Sequence, residues 1–293
     1  TSDQIPTEAA VRLINSLSLD GDDLDLFSGQ SYRNTLVVRN VGCLARDIVS
    51  SPPHRHMGGD IRDLLLQAAS PSAQPVVDRL NALMLKSIDQ IEAANRDLGT
   101  RADMLWLWSP SSSPRMPAFD ERFGLRGAVV AGLDFMRGVG EAAGMRTKEI
   151  HGANGYLDTN YAGKLRYAKA FLLHHDFVFV HVNGPDEEGH AGRAEGKIAA
   201  IEHIDRQIVG PLLAHLQARY PNRHRVAILP DHYTCLIDAQ HLDTPVPYAV
   251  CGDGIEADEV QVYTEAAVVA GAGKVTLSTD FLRALFADPP LIP

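Results

Sequence analysis

Residues 176–182 read DFVFVHV, an almost unbroken apolar run of strand length, followed by a helical pattern over 194–217 and a second short apolar run, RVAIL. A strand with one wet face alternates apolar and polar residues. A run that is apolar throughout suits a strand buried on both faces, the situation inside a parallel sheet covered by helices. The same rhythm holds from Met104 onward, where MLWLW is strand-like and SPSSSP is a loop that cannot continue it. A helix is expected over 133–143, ended by Gly144, another over 164–173, a strand at PYAVC and a last helix near 279–287. Strands alternating with amphipathic helices predict an α/β fold with a mostly parallel sheet flanked on both faces.

The first part of the chain lacks that rhythm. A short amphipathic helix is expected over 7–19, followed by the acidic turn DGDDLDLF, which reads as a solvated loop because a calcium loop needs a longer ladder of oxygen ligands and a closing Glu. Residues 32–39 alternate toward a strand, Pro52 and Pro53 break the chain, and a helix is expected over 59–67. Over 75–96, Val76, Leu80, Leu83, Ser87, Ile88 and Ile91 fall near one face at helical spacing, a packing stripe. The expected organisation is a smaller α+β domain over 1–98 and an α/β core over 99–293, divided in the gap at 98–103.

Composition excludes several classes of function. A formal charge of −10 argues against a polyanion binder, so no nucleic-acid partner is expected, while a small anion remains compatible with local Arg, Lys or metal charge. The three cysteines, Cys43, Cys235 and Cys251, are far apart and form no C-x-x-C, which suggests neither a zinc ribbon nor a disulfide framework. No apolar stretch approaches bilayer-spanning length and no signal peptide opens the chain, so the expectation is a cytoplasmic protein without a membrane partner.

Candidate chemistry gathers beyond the strand-like runs, where ligands of open α/β sheets collect. Asp186 and His190 stand four apart in PDEEGH, a glycine- and proline-bearing turn; Asp231 and His232 end RVAILPDH; His241 follows before the proline-broken DTPVPYAV. With 12 histidines, chance pairs such as His174–His175 are expected. Five ligand types, each after a strand-like segment, form a set that chance does not readily supply, with anionic oxygen and neutral nitrogen suited to a divalent cation. Neighbours on a regular strand point apart, so Asp231 and His232 are expected to be bent inward by a turn at Tyr233 and Thr234.

These residues sit within longer matches: Tyr32–Arg33 before LVVRN, PPHRHMGGDI at 52–61, WLWSPSSSPRMPAFDERFGLRGAVV at 106–130, GANGYLDTNYAGK at 152–164, PDEEGH at 185–190, KIAAIEHIDRQIVGPLL at 197–213, DHYT, His241 and PVP at 245–247. Together they resemble the archaeal-type, cofactor-independent phosphoglycerate mutases of the alkaline phosphatase superfamily. The resemblance implies an alkaline-phosphatase-like sheet with an inserted cap domain. It also implies two divalent ions, Mn²⁺ in the first place with Mg²⁺, Zn²⁺ or Co²⁺ as alternatives. Asp186, His190 and His241 would hold one ion, and Asp231 and His232 would be ligands of the second.

In the resembled family an aspartate and a nucleophilic serine from an N-terminal strand-and-turn region complete the second site. No DG-x-GD-like turn and no serine in matching context occurs in these 293 residues, so the chain looks like the C-terminal two-thirds of such an enzyme; Ser2, Ser16 and Ser18 read as caps or surface residues. Lys164, Arg33 and His54 are candidate substrate-binding residues, and Asn160 is a candidate helix cap. Ser109–Pro110, Asn183–Gly184 and Cys235 depart from the family's usual loop residues. The implied reaction interconverts 3- and 2-phosphoglycerate through a phosphoserine, on a small phosphorylated substrate. The alternatives are another metal-dependent phosphotransfer (homoserine-kinase-like) or phosphohydrolysis, and a non-catalytic metal-binding fragment or subunit that works with a missing N-terminal segment or chain.

Overall fold

The computed structural model describes residues 5–53, 56, 58–113, 115–288 and 290. They divide into two compact units at Pro114 and Arg115.

The first unit is built on one long helix. Its elements are α1 (Thr7–Ser16), β1 (Leu24–Ser28), β2 (Asn34–Val38), β3 (Ile48–Val49), β4 (Gln67–Ala68) and α2 (Gln74–Leu98). β1 and β2 pair antiparallel, as do β3 and β4. α2 begins with Pro75 in its first turn and stops at Gly99, which takes the left-handed conformation (φ 64°) that glycine adopts without a Cβ clash. Val76, Leu80, Leu83, Ser87 and Ile91 are buried along its length, as the stripe in the sequence requires, whereas Ile88 is only half-buried.

Two local expectations are corrected here. MLWLW joins no sheet. The Leu105 N–H donates to Ser87 Oγ (2.8 Å) and Trp106 Nε1 donates to the Ser51 carbonyl (2.9 Å), while Met104, Trp106 and Leu107 pack against the cluster around Val77 and Met84. This apolar segment therefore serves the first unit by covering α2, and the division between units falls after it. The helix expected over 59–67 contracts to a single tight turn, Ile61–Leu64, capped by Asp60. Asn81 on α2 takes both the N–H and the carbonyl of Leu66 at 2.9 Å each, which pulls the chain out of helical register and into β4.

The second unit contains α3 (Phe119–Phe123), β5 (Gly127–Val130), α4 (Asp134–Ala142), β6 (Arg146–Thr147), α5 (Tyr161–Phe171), β7 (Phe177–Val180), α6 (Gly184–His190), α7 (Ala194–Ile204), α8 (Gly210–Arg219), β8 (Arg225–Ile228), β9 (Tyr233–Thr234), β10 (His241–Leu242), β11 (Ala249–Gly252), α9 (Glu265–Val268) and α10 (Ser278–Phe286). β6, β5 and β7 form a parallel sheet in that order, with β5 wholly buried at its centre. Val130, Ile150 and Ala168 make the core under it, joined by Val178, Val180 and Leu212. A fully buried valine of this kind contributes ~1.5–3 kcal/mol. Gly140 lets α4 lie close on the sheet, since a Cβ there would meet Val129 Cγ2 at 2.7 Å. β8 pairs with β11 in the antiparallel sense.

The helix expected over 194–217 is interrupted by a wider turn, Asp205–Val209, where the Gly210 N–H reaches back to the Asp205 carbonyl. Pro211 follows immediately. It has no N–H to give to the turn before it and its ring crowds that turn, which accounts for the widened register. At the end of the chain, Arg225 ties α10 to β8 by donating to the Leu285 and Ala287 carbonyls at 2.8 and 2.6 Å.

Candidate metal centre

The loop after β7 is not the turn expected from its Gly and Pro but the short helix α6, with Pro185 in its first turn. Helical spacing of four puts Asp186 and His190 on one face. The helix lies close against β9, where a Cβ on Gly189 would meet Thr234 Cβ at 3.0 Å. Nor do Tyr233 and Thr234 form a turn. They are β9, paired with β10 so that Thr234 stands opposite His241. Residues 235–240 close the hairpin, with Cys235 N–H donating to the Gln240 carbonyl (2.9 Å) and Ala239 N–H to the Cys235 carbonyl (3.0 Å). Lys197 on α7 holds this hairpin down by donating to the Thr234 carbonyl at 2.9 Å.

Together α6 and the hairpin bring three ligand atoms together. His190 Nε2 and His241 Nε2 are 3.0 Å apart, and each lies 3.3 Å from Asp186 Oδ1. An ion bound at roughly 2.0–2.2 Å sets neighbouring ligand atoms about 2.9–3.5 Å apart. The triangle therefore fits one face of a divalent cation's coordination shell. His190 Nδ1 donates to the Ala239 carbonyl (2.9 Å), which leaves the Nε2 lone pair facing the cluster. Ala239 takes a left-handed backbone (φ 56°) in presenting that carbonyl. Burial, and then the neighbouring His232, hold His241 below the ordinary imidazole range, favouring the neutral form that binds metal.

Asp231 and His232 lie beside the triangle, not in it. The His232 ring stacks on His241 with centroids 3.7 Å apart, and its Nε2 is 3.4 Å from Asp231 Oδ2, on a side chain that is largely exposed. The nearby carboxylate of Glu188 is buried and already taken, receiving two hydrogen bonds of 2.7 Å from Arg193 that hold its pKa below the usual range. That pairing excludes it from the ligand set.

Two participants escape the sequence reading. Thr234 donates its hydroxyl to Asp186 Oδ1 (2.6 Å), orienting the carboxylate. Its position two residues after His232, on the same side of an extended chain, was the available signal. His181 sits between β7 and α6 with a buried Nδ1 for which no partner is found among the described residues, and burial, then the charge of Lys164, lowers its pKa.

The candidate substrate residues belong to different units. Lys164 is fully buried, with Nζ donating to the His181 carbonyl at 3.0 Å, and burial alone pushes it down to about 8. Arg33 belongs to the first unit, its guanidinium 4.5 Å above the Tyr32 ring. His54 lies outside the described residues. Asn160 caps α5 by accepting from the Gly163 N–H at 2.8 Å.

Comparison with known proteins identifies the family. The profile of the Metalloenzyme superfamily matches residues 34–274. A 2,3-bisphosphoglycerate-independent phosphoglycerate mutase 2 of Methanothermobacter thermautotrophicus is 39% identical over 92% of this chain and 66% of its own length. A 2,3-bisphosphoglycerate-independent phosphoglycerate mutase of Methanosarcina mazei is 33% identical over 96% of this chain and 71% of its own. Among solved structures, a cofactor-independent phosphoglycerate mutase from Thermoplasma acidophilum shares the fold at a TM-score of 0.57 and 23% identity, covering 98% of this chain and 72% of the other. The chain spans about 66% of the length of the Methanothermobacter relative. No helix among the described residues is long and apolar enough to cross a membrane. With a profile match across most of its length and relatives above 30% identity, the chain belongs to the Metalloenzyme superfamily, in the group that holds the 2,3-bisphosphoglycerate-independent phosphoglycerate mutases.

Proposed function

We propose that this chain carries the metal-binding part of a phosphoglycerate mutase interconverting 3- and 2-phosphoglycerate, and that it acts in glycolysis in the cytoplasm. The observation that carries the reading is the triangle of Asp186 Oδ1, His190 Nε2 and His241 Nε2, with edges of 3.0 to 3.3 Å, in a chain of this family. Those three residues hold one divalent ion, and Asp231 and His232 contribute to a second. Mn²⁺ is the ion proposed for both.

When bound, such ions polarise the phosphoryl group and stabilise charge on attacking and leaving oxygens. The chain's own residues do the positioning. Thr234 fixes the Asp186 carboxylate, the Ala239 carbonyl fixes the His190 ring, and Lys197 fixes the hairpin that carries His232 and His241. Lys164 supplies positive charge behind the site, and Arg33 and His54 are the further substrate-binding residues proposed from the resemblance. The nucleophilic serine and the remaining ligands of the second ion come from a further strand-and-turn segment, covalent or separate.

The test is conversion of 3- to 2-phosphoglycerate coupled to excess enolase. The 293-residue chain with Mn²⁺ should be inactive, and addition of the region of the Methanothermobacter relative that it does not cover should produce turnover that His190→Ala abolishes. Turnover by the chain alone would refute the assignment of the nucleophile. No turnover from the assembled protein would favour a non-catalytic metal-binding role.

A further inference from the structure

The parallel sheet of the second unit has two ends. The carboxyl end of β7 leads into α6 and the ligand cluster. At the other end, where β5 and β6 begin, lies a cavity of about 320 Å³ whose walls include Gly127, Met145, Arg146 and His175. That volume is at the lower end of the range for small-molecule sites. Local packing shapes the walls. A Cβ on Gly127 would meet Met145 Cε at 2.6 Å, so its absence lets the Met145 side chain lie over the start of β5. Gly144 turns the chain from α4 into β6 with a φ of 70°. The Phe119 N–H donates to the Ala143 carbonyl (2.8 Å), which brings the first turn of α3, and Asp120 with it, to the cavity. The His175 ring is held by a 3.0 Å hydrogen bond between Nδ1 and the Phe171 carbonyl.

The charges on these walls decide what the cavity can hold. Arg126, which also lines it, is committed: Nε and Nη2 each donate to the Asp176 carboxylate at 3.0 Å, and the Arg126 N–H donates to the same group. That pair is neutral as a unit. Arg146 and Asp120 differ. The Arg146 guanidinium has no partner among the described residues, and Asp120 engages only Oδ1, which accepts from the Glu121 N–H at 2.9 Å. Both line the same cavity, yet they stand too far apart for an ion pair with each other. One uncommitted cation and one uncommitted anion therefore face a single space. On the Asp120 side α4 comes to its end, and the partial negative charge of its last carbonyls adds to the pull on a cation.

We propose that this cavity binds a small zwitterion, an α-amino acid with a short apolar side chain. Its carboxylate pairs with Arg146, whose planar guanidinium matches a carboxylate with two parallel hydrogen bonds. Its ammonium pairs with Asp120, and its side chain lies against Met145. A plain anion would satisfy Arg146 but add its charge to that of the Asp120 carboxylate, and a plain cation would meet the converse. The cavity is at the opposite end of the sheet from Asp186 and His190, and its occupant is independent of the mutase reading.

The experiment is titration of the metal-free, isotope-labelled chain with L-valine, followed by amide chemical shifts. Two fragments of the same ligand are titrated beside it: isovalerate, which lacks the ammonium, and isobutylamine, which lacks the carboxylate. Saturable shifts are expected at Gly127, Gly144, Met145 and Arg146. Valine should bind at least ~10-fold tighter than either fragment, because each fragment loses one charge-assisted contact. Arg146→Gln should reduce valine to the affinity of isobutylamine, and Asp120→Asn should reduce it to that of isovalerate. Both side chains are exposed, so both variants should keep the folded spectrum, which the remaining amides check. Equal binding of valine and isovalerate, unchanged by Asp120→Asn, would make the cavity an anion site and overturn the proposal. Shifts confined to the surroundings of Asp186 and His241, or no saturable shift at all, would overturn it too.

Discussion

Replacing Lys164 by Met should make this chain more stable near neutral pH and remove a slope from its stability curve. The ammonium is fully buried, with the His181 carbonyl at 3.0 Å as its one hydrogen-bond partner among the described residues, and burial lowers its pKa from 10.5 to about 8. Between those values the unfolded chain holds a proton that the folded chain has released, so unfolding free energy rises with pH across the window from about 8 to 10.5. Integrated over it, the burial penalty is about 3 kcal/mol. Methionine fills a similar volume without charge and leaves the His181 carbonyl unpaired, at a cost of ~1 kcal/mol. The variant should therefore exceed the wild type by about 2 kcal/mol at pH 7. That gap should close at about pH 9.5, since each unit above about 8 returns ~1.4 kcal/mol to the wild type. Urea unfolding followed by circular dichroism from pH 7 to 10, without metal, measures both chains. His181, whose pKa the Lys164 charge helps to lower, is the neighbour that also changes, so the difference above pH 8 isolates Lys164. Parallel curves would refute the reasoning.

Thr234→Val should lower Mn²⁺ affinity ~10–100-fold without loss of fold, because it removes the hydroxyl that orients Asp186; isothermal titration reads it, and unchanged affinity would exclude Thr234 from the site. Ala239→Gly should raise stability by up to ~1 kcal/mol by relieving the left-handed backbone (φ 56°), and destabilisation in thermal melts would show that the strain is absent. Arg193→Ala should cost ~2–3 kcal/mol by leaving the buried Glu188 carboxylate unpaired, with the loss shrinking as Glu188 protonates at acid pH; a loss independent of pH would point to packing instead.

Much of the second unit was legible because its strands and helices differ in period. FVFV is an apolar run that only a covered sheet accommodates, and the structure sets it in parallel beside GAVV, a strand of four residues too short to have been singled out. The stripe on α2 was legible for the same reason. Apolar content without a partner was not. MLWLW reads as a strand, but whether it joins a ladder or covers a helix depends on Ser87, in a different part of the sequence. Proline and glycine in GPDEEGH also mislead, since Pro185 suits the first turn of a helix as well as a loop. At the candidate centre the ligand types could be read from the sequence, but the means of convergence could not. His241 is brought to His190 by a two-residue ladder between β9 and β10, which has no periodic signature. The lowered pKa of Lys164 likewise follows from burial, which a lysine in TNYAGK does not announce.

Asp186, His190 and His241 are proposed to hold one divalent ion in this chain. Titration of the metal-free protein with Mn²⁺, followed by electron paramagnetic resonance of the free ion, tests it most directly. The expected result is a strongest site of one Mn²⁺ per chain, weakened at least ~100-fold by His190→Ala and by His241→Ala, with Asp231→Asn affecting only weaker binding. Equal binding by wild type and His190→Ala, or a strongest site lost with Asp231 and kept without His241, would contradict it.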